Sequence, residues 1–132
     1  MKKILVADVP QMDRRYAAAA AGWEVAFVRT VAEARSALAA ARYDAVAIGV
    51  HFDDSRMFDL VRAIRGDEAR ARVPIVCVRG SAGVTAVASR TLAMTLKALA
   101  ADDFVDLVHY ADEAAGDAAL RAALERLLLA DR

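Results

Sequence analysis

The sequence predicts an α/β domain in which a five-stranded parallel sheet is covered by helices on both faces. Three observations lead there. Five short apolar runs recur along the chain, each about the length of a buried strand. Segments with apolar residues at helical spacing separate them. Strand and helix patterns alternate from end to end, and that alternation produces parallel strands joined by right-handed crossovers.

Lys3 to Ala7 is the first apolar run. Pro10 follows, where a first helical turn tolerates proline, and Met12, Tyr16, Ala19 and Ala20 then recur at helical spacing until Gly22. From Trp23 to Arg29 the chain alternates, with Trp23, Val25 and Phe27 on one face and Glu24, Ala26 and Val28 on the other. Thr30-Val31-Ala32-Glu33 has the form of a capping box, and Val31, Ala34, Leu38 and Ala41 make one face of a second helix. Asp44 to Val50 is the most apolar short run and predicts a central strand. Asp53, Asp54 and Ser55 stand ready to cap the helix after it, which carries Met57, Phe58, Leu60, Val61 and Ile64 and stops at Gly66. Pro74 opens a fourth strand, Ile75 to Val78. A longer helical pattern runs from about Val84 to Ala100, a last strand from Phe104 to Val108, and a final helix carries Leu120, Leu124, Leu127 and Leu128. Crossovers this short predict a flavodoxin-like arrangement with strand order 2-1-3-4-5.

The chain's 132 residues amount to a single domain, 1–132, since a domain averages about 150 residues. No linker, repeat or low-complexity segment divides it, so no output domain is expected. The 18 basic side chains balance the 18 acidic ones, which argues against a protein that grips nucleic acid through its overall field. No apolar run approaches the ~20 residues of a membrane span, and the start is interrupted too early by Asp8 for a signal peptide. The single cysteine, Cys77, allows neither an internal disulfide nor a multi-cysteine metal site. Together these point to the cytoplasm.

In a sheet of this kind the functional cleft lies beyond the carboxyl ends of the strands. That directs attention to Asp8 and Val9, Gly49 to His51, Arg79 to Ser81, and Asp106 to Val108.

Three stretches carry a resemblance. Lys3-Ile4-Leu5-Val6-Ala7-Asp8 is an apolar strand with an acidic end. Tyr43-Asp44-Ala45-Val46-Ala47-Ile48-Gly49 is followed by Phe58-Asp59-Leu60-Val61-Arg62-Ala63-Ile64-Arg65. Val73-Pro74-Ile75-Val76-Cys77-Val78 is followed by Ala101-Asp102-Asp103-Phe104-Val105. In this order and spacing the chain resembles the receiver domain of bacterial response regulators over nearly its whole length. The resemblance implies phosphoryl transfer from a phosphohistidine to an aspartate at the end of the third strand. A magnesium ion held by carboxylates, a hydroxyl at the end of the fourth strand and a lysine at the end of the fifth assist that transfer.

The required groups are missing almost one by one. Gly49 occupies the phosphoacceptor slot. The acidic pair is reduced to Asp8, with Val9 beside it. Arg79 stands in the hydroxyl slot and Leu107 in the lysine slot. The chain therefore resembles a degenerate receiver, a pseudo-receiver, with no phosphoacceptor, no catalytic residue and no cofactor, and with weak or absent magnesium binding. Phe104 falls on the aromatic switch position of the family, where buried packing in one rotamer is expected. Arg79 either pairs with Asp8 in place of the missing cation or extends into solvent. His51 and His109 have no second ligand at a recognisable spacing. Gly80-Ser81-Ala82-Gly83 lacks the sequence of a phosphate loop.

Three functions follow. The first is a phosphorylation-independent protein-interaction module in a two-component or phosphorelay pathway. Its partner would be a histidine kinase, a phosphotransfer protein, another regulator or a second copy of itself, with Leu127 or Leu129 available for contact. The second is a small-molecule or nucleotide sensor that uses the emptied cleft around Gly49. The third is a receiver phosphorylated on Asp53 or Asp54.

Overall fold

The computed structural model describes residues 1–80 and 88–129. β1 (Lys3–Ala7), β2 (Glu24–Val28), β3 (Ala45–Gly49), β4 (Ile75–Arg79) and β5 (Asp103–Asp106) form one parallel sheet in the order β2-β1-β3-β4-β5. This is the predicted flavodoxin-like order. Among the described residues five helices cover it: α1 (Asp13–Ala19), α2 (Val31–Ala40), α3 (Met57–Gly66), α4 (Ser89–Ala98) and α5 (Glu113–Leu129). A sixth, single-turn segment, Phe52–Ser55, is left-handed, with φ of 46°, 54° and 66° at Asp53, Asp54 and Ser55.

The period-2 alternation of the inner strands divides their side chains between two cores. Leu5, Val46, Ile48, Ile75 and Cys77 face α2, α3 and α4. Ile4, Val6, Ala47, Val76 and Val78 face α1 and α5. Because β1, β3 and β4 are covered on both faces, they are buried nearly throughout and need continuous apolar sequence. Burial also pushes the Cys77 thiol up to about 12, so it is an inert core residue. β2 is an edge strand. There Trp23 packs on the second core with the Arg121 guanidinium 3.7 Å from its ring centroid.

The capping box forms in a shifted version. Thr30 Oγ1 accepts from Glu33 N, while Glu33 Oε1 accepts from Arg29 N. Leu127 is buried and closes the second core, whereas Leu129 is 85% exposed.

Two expectations need correction. The last strand ends at Asp106, and Leu107 to His109 form a 3-10 turn. Asp106 accepts from Val108 N and caps that turn, which rotates Leu107 into the second core. Asp53 caps no helix after it; its Oδ2 accepts from Val31 N at 2.9 Å, at the amino end of α2. The left-handed turn reverses its side chain toward that neighbouring helix, and α3 begins after Arg56 with no side-chain cap. Helix α4 is described from Ser89, after an extended Ala88, and the expected helical stretch from Val84 to Val87 lies outside the described residues.

Candidate functional site

At the carboxyl ends of the strands Asp8 and Gly49 stand together, and Arg79 ends β4 two strands from Asp8. Asp8 follows β1 directly and is 3% exposed. Its Oδ1 accepts from Val9 N at 2.7 Å, and its Oδ2 accepts from the Tyr16 hydroxyl at 2.7 Å. Tyr16 rises from α1 and is fully buried. The carboxyl group also leans over the neighbouring strand end. A Cβ built on Gly49 would stand 2.0 Å from Asp8 Cγ and Oδ1 and 2.1 Å from Oδ2. Asp8 thus occupies the volume that any side chain at position 49 would need.

Burial pushes the Asp8 carboxyl above its ordinary value. The Tyr16 and Val9 hydrogen bonds and the charges of His51 and Arg29 pull the other way without overcoming it. Burial and the adjacent carboxyl push the Tyr16 phenol well up, so it remains a hydroxyl donor.

A second carboxylate, Asp13, is held at the rim by Arg29, from the end of β2. Arg29 Nη1 donates to Asp13 Oδ1 at 2.9 Å and to the Asp8 carbonyl at 3.1 Å, and Nη2 pairs with Asp13 Oδ2.

Arg79 is paired with Asp106 and not, as one expectation had it, with Asp8. The two are register partners on adjacent strands. Arg79 Nε lies 3.1 Å from both carboxylate oxygens, and Nη2 lies 2.5 Å from Oδ2. Asp8 lies two strands away, and both its oxygens already accept other donors. Burial pushes the Asp106 carboxyl up, but hydrogen bonds from Arg79 and Ser89 and the charges of Arg79 and His109 hold it below its ordinary value.

Leu107, in the lysine slot, is buried and offers no charge. Phe104 is half-buried and packs against the first core. Met12 leans over Gly80, where a Cβ would stand 2.4 Å from its Sδ. What remains of the cleft is a cavity of about 340 Å³, walled by Asp8, Val9, Gln11, Met12, Val50, His51, Val78 and Gly80. Asp53 and Asp54 lie on the left-handed turn. The Asp53 carboxylate is used by Val31 N and lies 3.5 Å from Arg56.

Receiver chemistry needs magnesium, and the donor set here does not fit it. Magnesium takes oxygen ligands in near-octahedral geometry. Both Asp8 oxygens are engaged, Val9 and Gly49 carry no side-chain oxygen, and Asp13 is clamped by Arg29. Among the described residues no three histidine, cysteine or carboxylate side chains converge to hold a metal ion.

The sequence reading missed Tyr16, Arg29, Asp13 and Met12 as parts of this site. Arg29 could have been found as a charged residue at the carboxyl end of the strand beside β1. Tyr16 read only as an apolar helix-face position, and nothing in its spacing marks the direction of its hydroxyl.

No family model and no curated protein matches the chain. Solved structures do. The phosphorylated cyanobacterial phytochrome response regulator RcpA superposes with a TM-score of 0.81 at 19% identity, over 99% of this chain and 96% of that one. The chemotaxis response regulator CheY4 of Vibrio cholerae gives 0.75 at 22% identity, over 97% and 99%. A response regulator from Hahella chejuensis gives 0.76 at 20% identity, over 100% and 98%. The fold is therefore that of response-regulator receiver domains. No helix among the described residues is long and apolar enough to cross a membrane.

Proposed function

We propose that this chain is a receiver-fold interaction module that cannot take phosphate and recognises a protein partner in a two-component or related signalling pathway. One observation carries the reading: the Asp8 carboxyl group stands over Gly49, where a phosphoacceptor would project. Among the described residues the site holds no carboxylate at position 49, no fitting set of metal ligands and no lysine, the elements that phosphoryl transfer requires. The Arg79–Asp106 pair ties the ends of β4 and β5 together through buried side chains. One conformation is then favoured without a covalent signal.

The partner class follows from the fold. RcpA and CheY4 are response regulators, so a kinase, a phosphotransfer protein, another regulator or a second copy is the natural occupant. The face made by α4, β5 and α5 supports this, since Met94 and Tyr110 are exposed there. Incubation with acetyl phosphate and magnesium, read by intact mass, tests the core of the reading. No adduct is expected, and a stable phosphoryl adduct overturns it. Light scattering and pull-down from the source cell then identify the partner.

The cavity beside Asp8 favours one second reading, a small-molecule sensor. Its walls are largely apolar, with Asp8 and His51 as polar anchors. A thermal-shift screen of nucleotides and metabolites separates the two readings, because a saturable stabilisation lost in Val50→Trp supports the sensor.

A further inference from the structure

At the amino-terminal end of the sheet, opposite the Asp8 pocket, lies a groove of about 710 Å³. The α2–β3 and α3–β4 connections form its sides, and Leu127 and Leu128 of α5 close one end. Its charge is one-sided. Lys2, Arg42, Arg70 and Arg72 line it against a single carboxylate, Asp44, in a chain whose charges balance overall.

Two of these charged groups are already used. Asp44 Oδ2 accepts from Lys3 N at 2.8 Å. Arg70 Nε donates to the Leu38 carbonyl, and its Nη1 lies 3.5 Å from Asp67. Lys2, Arg42 and Arg72 differ. All three are exposed, and their side chains have no hydrogen-bond or ion-pair partner among the described residues. Between them stand smaller apolar surfaces, the exposed Ala40 and Ala69 and the half-buried Val73 and Leu128.

We infer that this groove binds an acidic peptide segment of a partner protein, its carboxylates on Lys2, Arg42 and Arg72 and an apolar side chain on the lining between them. Charge complementarity selects the sign of the ligand, and the apolar surfaces interspersed among the cations favour a peptide, which carries both kinds of side chain, over an inorganic anion. Nucleic acid fits less well. The ring that would stack a base, Tyr43, already carries the Lys3 ammonium 4.9 Å from its centroid. The cations also form one cluster rather than a track for successive phosphates. The cations are solvated at the rim, so the complex is steered electrostatically and weakens with salt. The site lies at the opposite end of the strands from Asp8 and does not depend on whether that pocket takes phosphate.

The test uses the full chain and a short fluorescein-labelled peptide of alternating glutamate and leucine, followed by fluorescence anisotropy. Saturable binding that weakens with salt is expected, reduced about tenfold or more by Arg42→Glu with Arg72→Glu. Arg35→Glu, an exposed site on α2 outside the groove, should leave it unchanged. The neutral pair Arg42→Gln with Arg72→Gln should lose affinity in smaller measure, and it reads the same contact if the reversed pair fails to fold. Absence of binding to the unaltered chain overturns the inference. So does equal affinity across all variants, or tighter binding of tripolyphosphate or an oligothymidylate than of the peptide.

Discussion

Arg79 grips Asp106 across the β4–β5 ladder, and the two side chains are only 7% and 5% exposed. Each ends a strand at the place where a receiver handles phosphate, and each neutralises the other. Removing Arg79 takes the guanidinium partner from a buried carboxylate. Arg79→Met should therefore destabilise the fold by about 3–5 kcal/mol, whereas Arg79→Met with Asp106→Leu should recover most of that loss. Urea denaturation of the three proteins reads both effects. Equal stability of the wild type and the single variant would show that the pair contributes nothing.

The same pair sets a pH dependence. Asp106 has a folded-state value below its ordinary 3.8. Its stabilisation is complete above the ordinary value and is lost as pH falls through the lowered one. Asp8 has the opposite sign. Its folded value is raised above 3.8, so stability declines as pH rises from 3.8 to the raised value. Melting temperatures across the acid range should show Asp106→Asn flattening the lower limb and Asp8→Asn flattening the upper one.

Position 49 should resist any side chain while Asp8 is present. Gly49→Ala places a methyl group 2.0 Å from the Asp8 carboxyl and should cost about 1–3 kcal/mol. Combined with Asp8→Gly, which clears that volume, the cost should fall, and a double-mutant cycle measures the coupling. Gly49→Asp alone should not gain acetyl-phosphate reactivity, because it forces two carboxyl groups into one space and restores neither lysine nor hydroxyl. A phosphoryl adduct on that variant would contradict this.

Tyr16→Phe removes one of the two donors that Asp8 accepts. The cost should be about 1–3 kcal/mol at pH values above the raised Asp8 value, where the carboxylate is ionised, and smaller below it. Comparing denaturation midpoints at the two pH values checks both the size and the sign.

Much of this was readable from residue order alone. Apolar runs of strand length alternating with helical spacing determined five parallel strands and their order, because a buried parallel sheet and amphipathic helices impose their own periods on the sequence. It was equally plain from their side chains that Gly49 and Leu107 can offer neither nucleophile nor cation in any fold. What fills the vacated space was decided only in three dimensions. Asp8 turned over Gly49 and took its hydrogen bond from Tyr16, eight residues away on a helix. Arg79 chose Asp106, its neighbour in register, over Asp8, two strands distant. Asp53 turned back through left-handed backbone to cap α2. Periodicity tells which face a residue occupies; where a polar side chain points depends on which donor or charge the packed neighbours bring within reach.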